Sequence, residues 1–277
     1  MPTAPGAAFR GTDMRYWMVF DIETVPDAEL GRRWLGLPAA DGDADVRRQM
    51  LAARQTETGH SDFLKPPYHQ VAAISAALID GDGVIRRLGP LGDEAHTEAD
   101  LLRQFFGVIE ELQPRLVGWN TSGFDLPTLL YRAMRHRIPT PAFYRVGEPY
   151  HGYRKRYDED SHLDLMDILS GYGASARVSL HEMAILLGFP GKLDVDGSQV
   201  MDLFEAGEVG RIRRYCSHDV MTTVLVFMEY AYHRGWMDAG VRDTLIKSAR
   251  QWIQEDPDVW APFQEAWQAL SREADLA

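Results

Sequence analysis

Two carboxylates, Asp21 and Glu23, follow an aromatic and aliphatic run in the stretch 14–24, MRYWMVFDIET. Such a run is typical of a buried strand, in which residues two apart leave the same face. Both side chains can therefore reach one cation. A solvated strand end is the alternative, but acids at the edge of a core are costly unless they are paired or metal-bound. The pattern favours a divalent-cation site.

A second group lies in VGWNTSGFDLPTL, residues 117–129. Here Asn120 is expected to end a strand, Asp125 to begin a helix, and Phe124 to pack beneath the connecting loop. An aspartate at a helix start can also serve only as a cap for main-chain N–H groups. Both roles for Asp125 stay open on this pattern.

A third group is YCSHD, residues 215–219. Tyr215 and Asp219 are four apart, which places them on one face of a helix. His218 is turned from Asp219 by about 100°, so we expect it to lie beside the site without acting in it. Cys216 is turned from Tyr215 in the same way and is expected to pack in the core. Taken alone, Tyr215 could simply be half-buried with its hydroxyl on solvent.

Hydrophobic periodicity predicts the elements that would position these residues. The order of strands first, then alternating strands and helices, then helices predicts one α/β domain with a mixed sheet. The predicted elements are a strand at 14–24, a helix near 45–54 within an excursion at 27–67, a hairpin of 69–80 and 83–91, a helix at 97–113, a strand at 115–120, helices at 126–137 and 179–187, a long helix at 208–234, and two amphipathic segments in the tail.

Composition narrows the classes of protein. A chain of 277 residues with 45% hydrophobic content can bury a sizeable core. Its net charge of −12 repels polyanions, so nucleic-acid binding needs a local patch or bound cations. Cys216 is the single cysteine, which excludes an intrachain disulfide and favours a reduced, cytoplasmic setting. The sequence has no signal-type leader or apolar run of about 18 residues, so no membrane association is expected.

The stretch 131–157 carries seven Lys or Arg residues against one acid, Glu148, a local charge of +6. Tyrosines alternate with these cations, a combination suited to phosphates and stacked bases. A solvated helix face followed by a loop is the alternative. The candidate nucleic-acid ligands in this basic segment are Arg132, Arg145, Arg154, Lys155 and Arg156.

Together, D-x-E, N-x-x-x-F-D and Y-x-x-x-D in this order resemble the DEDD superfamily of 3′-to-5′ exonucleases. The similarity is to the tyrosine branch, as in proofreading domains of family B DNA polymerases. In the histidine branch the catalytic histidine lies five residues before the last aspartate, where this chain has Arg214. The stretches FDIETVPD, FLKPPYHQVAAIS, HLDLMDILS, SLHEMAILLGFPGK and YCSHDVMTT are also similar to stand-alone bacterial proteins described as predicted exonucleases related to that domain.

The resemblance covers 17–236 and implies a ribonuclease H-like mixed sheet flanked by helices in a single domain. It implies that two divalent ions, Mg²⁺ or Mn²⁺, are held by four acids, and oxygen ligands suit these hard cations. His162 and His181 are expected to be structural or capping residues. A tyrosine with a pKa of about 10 is a poor base at neutral pH, so Tyr215 is expected to orient the attacking water. The implied metal ligands are Asp21, Glu23, Asp125 and Asp219.

The expected reaction is hydrolysis at the 3′ end of single-stranded nucleic acid, with DNA favoured over RNA and nucleoside 5′-monophosphates released. Thr24, Asn120 and Phe124, next to the acids, are expected to contact the substrate. Two alternatives stay open: an RNA 3′-end-processing exonuclease of the same chemistry, and a catalytically idle nucleic-acid-binding module. The expected organisation is a flexible leader at 1–15, the exonuclease domain at 16–236 and a helical extension at 237–277 packed on it.

Overall fold

The computed structural model describes residues 16–145, 151–191, 193 and 197–276, so the predicted leader at 1–15 lies outside it. Strands and helices follow the predicted order, and the mixed α/β fold is confirmed. In chain order they are β1 (Tyr16–Pro26), α1 (Ala28–Leu35), α2 (Asp43–Thr58), β2 (His69–Asp80), β3 (Ile85–Pro90), α3 (Glu98–Leu112), β4 (Arg115–Gly118), α4 (Asp125–Arg135), α5 (Pro141–Arg145), β5 (His162–Asp164), α6 (Leu165–Leu169), α7 (Leu180–Leu186), α8 (Val200–Glu205), α9 (Val209–His233), α10 (Ala239–Glu255) and α11 (Pro257–Leu276).

One five-stranded sheet has the order β3-β2-β1-β4-β5. The strands β1, β2 and β3 form an antiparallel meander, which confirms the predicted hairpin of β2 and β3. The strands β4 and β5 continue the sheet on the other side of β1 in parallel orientation. The central strand β1 thus has its carboxyl end next to the carboxyl ends of β4 and β5.

Side chains of β1 alternate between two buried faces, as the period of a strand requires. Trp17 and Val19 point into a core that includes residues of α9, α10 and α11. Met18 and Phe20 point into a second core with residues of α3 and α4. By the same alternation, the side chains of Asp21 and Glu23, which follow at odd-numbered positions, are directed toward α9.

Helices α10 and α11 belong to the same core as the sheet. Leu245, Ile253 and Phe263 are at most 2% exposed within the cluster that contains Trp17 and Val19. No helix in the described part of the chain is both long and apolar enough to cross a membrane.

The excursion at 27–67 contains two helices with a small core of their own. The predicted helix near 45–54 is confirmed and is longer, Asp43–Thr58, whereas α1 was not predicted. Asp27 caps α1 by accepting a 3.0 Å hydrogen bond from the N–H of Leu30. Met50 lies so close to Gly31 that an added Cβ would be 2.3 Å from its sulfur.

A buried ion network ties this excursion to the sheet. The guanidinium of Arg132, which is 3% exposed, lies 2.6 Å from a carboxylate oxygen of Asp27 and 2.6 Å from one of Glu98. Glu98 also accepts a 2.7 Å hydrogen bond from the N–H of Val71 in β2. The prediction that Arg132 binds nucleic acid is therefore wrong, because its donors are satisfied by two buried acids and are hidden from solvent.

Candidate active site

Asp21 and Glu23 lie near the end of β1 on the face that packs against α9. Their carboxylate oxygens and the sulfur of Cys216 lie within 4.8 Å of one another. The pairing register with β2 shifts directly after Glu23. A bulge at this point ends the regular ladder beside the two acids.

Asp125 is the first residue of α4, and the cap residue before it, Phe124, makes no side-chain capping bond. Asp125 therefore does not occupy the cap position of α4, although its carboxylate accepts hydrogen bonds from the main-chain N–H groups of Asp125 and Ile22. Its side chain is 4% exposed, and its Oδ1 atom has no hydrogen-bond partner among the described residues. Burial, with a smaller contribution from the charge of Asp164, raises the pKa of Asp125 to about 7.

Tyr215 and Asp219 come from α9 and are joined by a hydrogen bond between the phenol and the carboxylate. Tyr215 is 7% exposed. Burial, together with the charges of Asp219, Glu23 and Asp21, raises the pKa of Tyr215 far above its usual value. In the metal-free protein the phenol is therefore protonated at neutral pH and can donate a hydrogen bond.

The four acids face one another in this cluster. Burial and then the charges of Asp125, Glu23 and Asp219 raise the pKa of Asp21 well above its ordinary range. A carboxylate cluster of this kind destabilises itself unless a cation neutralises it. The donor set of carboxylate oxygens and the unpartnered Oδ1 of Asp125 both fit divalent ions such as Mg²⁺ or Mn²⁺.

Cys216 and His218 both make contacts within the protein. Cys216 is fully buried, as expected, but its thiol lies 3.4 Å from the carbonyl oxygen and 3.7 Å from a carboxylate oxygen of Asp21, a contact that the sequence did not predict. Burial raises the pKa of the thiol, so it is not a reactive thiolate. His218 lies 2.8 Å from the carbonyl oxygen of Val259 and contacts the ring of Trp260, which anchors α11.

Asp164, at the end of β5, holds the loop that leads to Asp125. Its carboxylate accepts hydrogen bonds of 2.9 Å from the N–H of Asn120 and 2.8 Å from that of Ser122. Asn120 adopts a φ of +63°, a conformation that asparagine tolerates. Asp164 was not among the residues predicted for the site. The available signal was an acid ending a short strand, HLD, at the same sheet edge as Asp21.

Histidines support the site without entering it. His162 is buried and lies 2.8 Å from the hydroxyl of Thr121, and burial lowers its pKa to about 4. His69, also buried, has its pKa lowered to about 4 by burial and accepts a 2.9 Å hydrogen bond from the hydroxyl of Thr24. Both rings are neutral at physiological pH. The Thr24 hydroxyl therefore already donates its proton in the hydrogen bond to His69.

The predicted cations of the basic segment do not all lie at one site. Arg154 and Arg156 line a cleft of about 500 Å³ together with the loop at Asn120 and Ser122. Arg156 also makes a two-pronged ion pair with Asp167, with bonds of 2.7 and 2.8 Å. By contrast, Arg145 pairs with Glu110 of α3, and Lys155 is exposed at a neighbouring cleft. The structure thus brings two of the five predicted cations to the Asn120 loop.

Replacing Asp125 with Asn is expected to stabilise the metal-free protein at pH 8 by roughly 4 kcal/mol. Since the folded-state pKa of about 7 exceeds the ordinary 3.8, the protonated carboxyl stabilises the fold at low pH, and this stabilisation is lost as the pH rises through 7. The advantage of the variant should therefore nearly vanish at pH 4. Urea unfolding in EDTA at both pH values measures it, and a variant less stable than the wild type at pH 8 would contradict the account.

The fold and part of the sequence match known proteins. A family described as predicted 3′-5′ exonucleases related to the exonuclease domain of PolB matches residues 61–267. The match begins later than the expected start at Trp17, after the stretch that carries Asp21 and Glu23, and extends beyond the expected limit at Trp236. The family B DNA polymerase of the hyperthermophilic archaeon Pyrobaculum calidifontis is similar in structure, with a TM-score of 0.50 and 20% identity over 78% of this chain.

This chain corresponds to only 24% of that polymerase. The likeness shows the fold, which is ribonuclease H-like as predicted. A search of curated protein sequences found no match. Since the family match spans most of the chain, the protein belongs to the family of predicted 3′-5′ exonucleases related to the exonuclease domain of PolB.

Proposed function

We propose that the protein hydrolyses the 3′-terminal phosphodiester bond of single-stranded nucleic acid, DNA in preference to RNA, and releases nucleoside 5′-monophosphates. The observation that carries this proposal is the convergence of four carboxylates and a protonated tyrosine at the end of β1. The charges of Asp125, Glu23 and Asp219 help to raise the pKa of Asp21, and a buried oxygen of Asp125 has no hydrogen-bond partner among the described residues. Such an arrangement is suited to binding cations and a phosphate between them.

Asp21, Glu23, Asp125 and Asp219 would hold two divalent ions, Mg²⁺ or Mn²⁺. When bound, the ions lower the pKa of the attacking water and stabilise charge on the attacking and leaving oxygens. Four carboxylates balance the charge of two divalent ions, so the scissile phosphate meets a neutral site. This removes the local repulsion that the four acids would otherwise exert on the scissile phosphate.

Tyr215 would position the attacking water through its protonated hydroxyl. Asp219 holds this hydroxyl from the next turn of α9, and burial fixes the ring. Glu23, whose charge also acts on the phenol, would accept a hydrogen bond from the same water. Asp164 would keep the loop before Asp125 in place and thereby act on the reaction only through that loop.

The substrate strand would leave the acidic cluster along the cleft beside the Asn120 loop. Arg154 and Arg156 line this cleft, and the ring of Tyr144 lies 4.9 Å from the guanidinium of Arg154. Cations next to aromatic rings suit a phosphate backbone with stacked bases. Lys155, at the neighbouring cleft, would add charge without a direct place in the strand path.

The proposal is tested with 5′-labelled DNA and RNA oligonucleotides of one sequence, each incubated with Mg²⁺, Mn²⁺ or EDTA. A ladder that shortens from the 3′ end, needs a divalent ion and forms faster on DNA supports it. Faster shortening of RNA would instead support an RNA 3′-end-processing enzyme. Binding without any shortening would support the catalytically idle module.

Replacing Arg154 with Gln is expected to weaken binding of a DNA oligonucleotide and to reduce the salt dependence of binding. Loss of one phosphate contact to a single strand lowers the slope of log K against log salt concentration by about 0.7. The measurement is a fluorescence-anisotropy titration in EDTA at several salt concentrations. Arg103→Gln is the matched control, because Arg103 pairs with Asp100 on α3. Equal slopes for both variants would place the strand elsewhere.

A further inference from the structure

One aromatic side chain beside the acidic cluster, Phe63, has no role in the function proposed above. It belongs to the loop between α2 and β2, and 57% of the residue is exposed. We propose that Phe63, together with Phe124, forms a stacking surface for the base of the 3′-terminal nucleotide. This inference rests on the proposed exonuclease function and names how that function holds its substrate.

Ring contacts connect Phe63 to residues that adjoin two of the metal-ligand candidates in the sequence or are bonded to such a neighbour. Its ring centroid lies 5.1 Å from that of Phe124, the residue directly before Asp125. It also lies 5.4 Å from the ring of His69, which is hydrogen-bonded to Thr24, the residue directly after Glu23. His69 and Phe124 meet edge to face at 4.9 Å. The three rings therefore form one cluster, which is linked through Phe124 to Asp125 and through Thr24 to Glu23.

The loop that carries Phe63 is anchored although its side chain is exposed. Leu64 is 1% exposed in the small core of the excursion, and its carbonyl oxygen lies 3.2 Å from Nε2 of His69. The carbonyl of Phe63 accepts a 3.0 Å hydrogen bond from Arg54, and its N–H donates a 3.2 Å bond to the hydroxyl of Ser61. An exposed ring on a fixed backbone loses little entropy when a base stacks on it.

Stacking suits the substrate that an exonuclease meets at each step. Every base has an aromatic face, so a stacking surface accepts any terminal nucleotide without reading its sequence. The Phe63 and Phe124 rings also offer no hydrogen-bonding groups that would select one base. Phe63 is thus a positioning residue that would hold the terminal base while the acids act on the adjoining phosphate.

The test pairs ring deletion with base deletion. Phe63→Ala is expected to raise KM about tenfold on an ordinary DNA oligonucleotide, since a base–aromatic stack contributes about that factor. Phe63→Tyr should keep the wild-type KM. On an oligonucleotide whose 3′-terminal nucleotide is abasic, the wild type should lose the same factor, and Phe63→Ala should show no further loss. Trp34→Ala is the matched control, because Trp34 is an exposed ring of the same excursion stacked on Tyr68.

A second measurement does not depend on catalysis. An oligonucleotide with 2-aminopurine at its 3′ end, mixed with protein in EDTA, should lose fluorescence on binding to the wild type and to Phe63→Tyr, but not to Phe63→Leu. If the wild type degrades DNA while Phe63→Ala shows an unchanged KM and Phe63→Leu an unchanged quench, the inference is overturned and the exonuclease function stands. If the wild type degrades neither DNA nor RNA, the proposed function itself fails.

Discussion

Replacing Asp21 with Asn is expected to lower the rate of 3′-end hydrolysis at least about 10³-fold while the chain stays folded, because the change removes a carboxylate that every neighbouring acid faces. An amide oxygen is a weaker ligand for a divalent ion than a carboxylate is. The fold should not suffer, since loss of a charge that its neighbours repel stabilises the metal-free state. Single-turnover hydrolysis of a labelled oligonucleotide measures the rate, and thermal unfolding in EDTA measures the stability.

Two substitutions on α9 provide the comparison for that result. Tyr215→Phe should lower the rate about 10²-fold, because it removes only the hydroxyl that positions water. His218→Ala should leave the rate within a few-fold of wild type and lower stability instead, because His218 bonds to the carbonyl of Val259 in α11. If His218→Ala were the more damaging change for catalysis, the assignment of the chain to the tyrosine branch would be wrong.

Replacing Arg132 with Ala is expected to cost about 3–5 kcal/mol of unfolding free energy. The guanidinium is 3% exposed and lies 2.6 Å from both Asp27 and Glu98. Its removal leaves the two buried carboxylates with weaker ion pairs, because Asp27 keeps Arg135 at 3.4 Å and Glu98 keeps the ring of His136. The loss of Arg132 should also disturb the active site, because α4, the helix that carries Arg132, begins at Asp125. Urea unfolding at pH 7 in EDTA measures the loss.

Arg103→Ala serves as the control for Arg132, because the Arg103 guanidinium pairs with Asp100 at the surface and should contribute less than about 1 kcal/mol. Replacing Glu98 with Gln in the Arg132→Ala background should recover part of the loss, because a buried charge that has lost its guanidinium partner disappears. A stable Arg132→Ala protein with weakened oligonucleotide binding would restore the phosphate-binding role that its burial excludes.

Local patterns in the sequence were sufficient for the elements that carry the acids. The apolar run before Asp21 predicted β1, and the two-residue spacing predicted that Asp21 and Glu23 share a face. The capping box at Ser179 and Glu182 is formed as predicted, with the side-chain bonds in both directions. These features depend on interactions within a few residues, which a sequence displays directly.

Features that depend on distant partners could not be predicted in this way. Arg132 and Arg154 have the same chemistry and lie in one basic segment, yet only Arg132 meets buried acids 34 and 105 positions away in the chain. Asp164 likewise acquires its role from β4, and Cys216 meets Asp21 across 195 positions. The role of each of these residues depends on its burial and on partners that are distant in the sequence. A count of charges within one segment gives no information on either.

A phosphorothioate at the 3′-terminal linkage of a 5′-labelled DNA oligonucleotide tests the central claim most directly, because sulfur at the scissile phosphate binds Mg²⁺ poorly and softer ions better. For one of the two diastereomers, we predict removal of the terminal nucleotide at least about tenfold more slowly than from the all-oxygen substrate in Mg²⁺, and restoration of the rate by Mn²⁺. Shortening from the 5′ end, internal cleavage, or a rate indifferent to sulfur, metal and EDTA would contradict metal-dependent 3′-to-5′ hydrolysis at this cluster of acids.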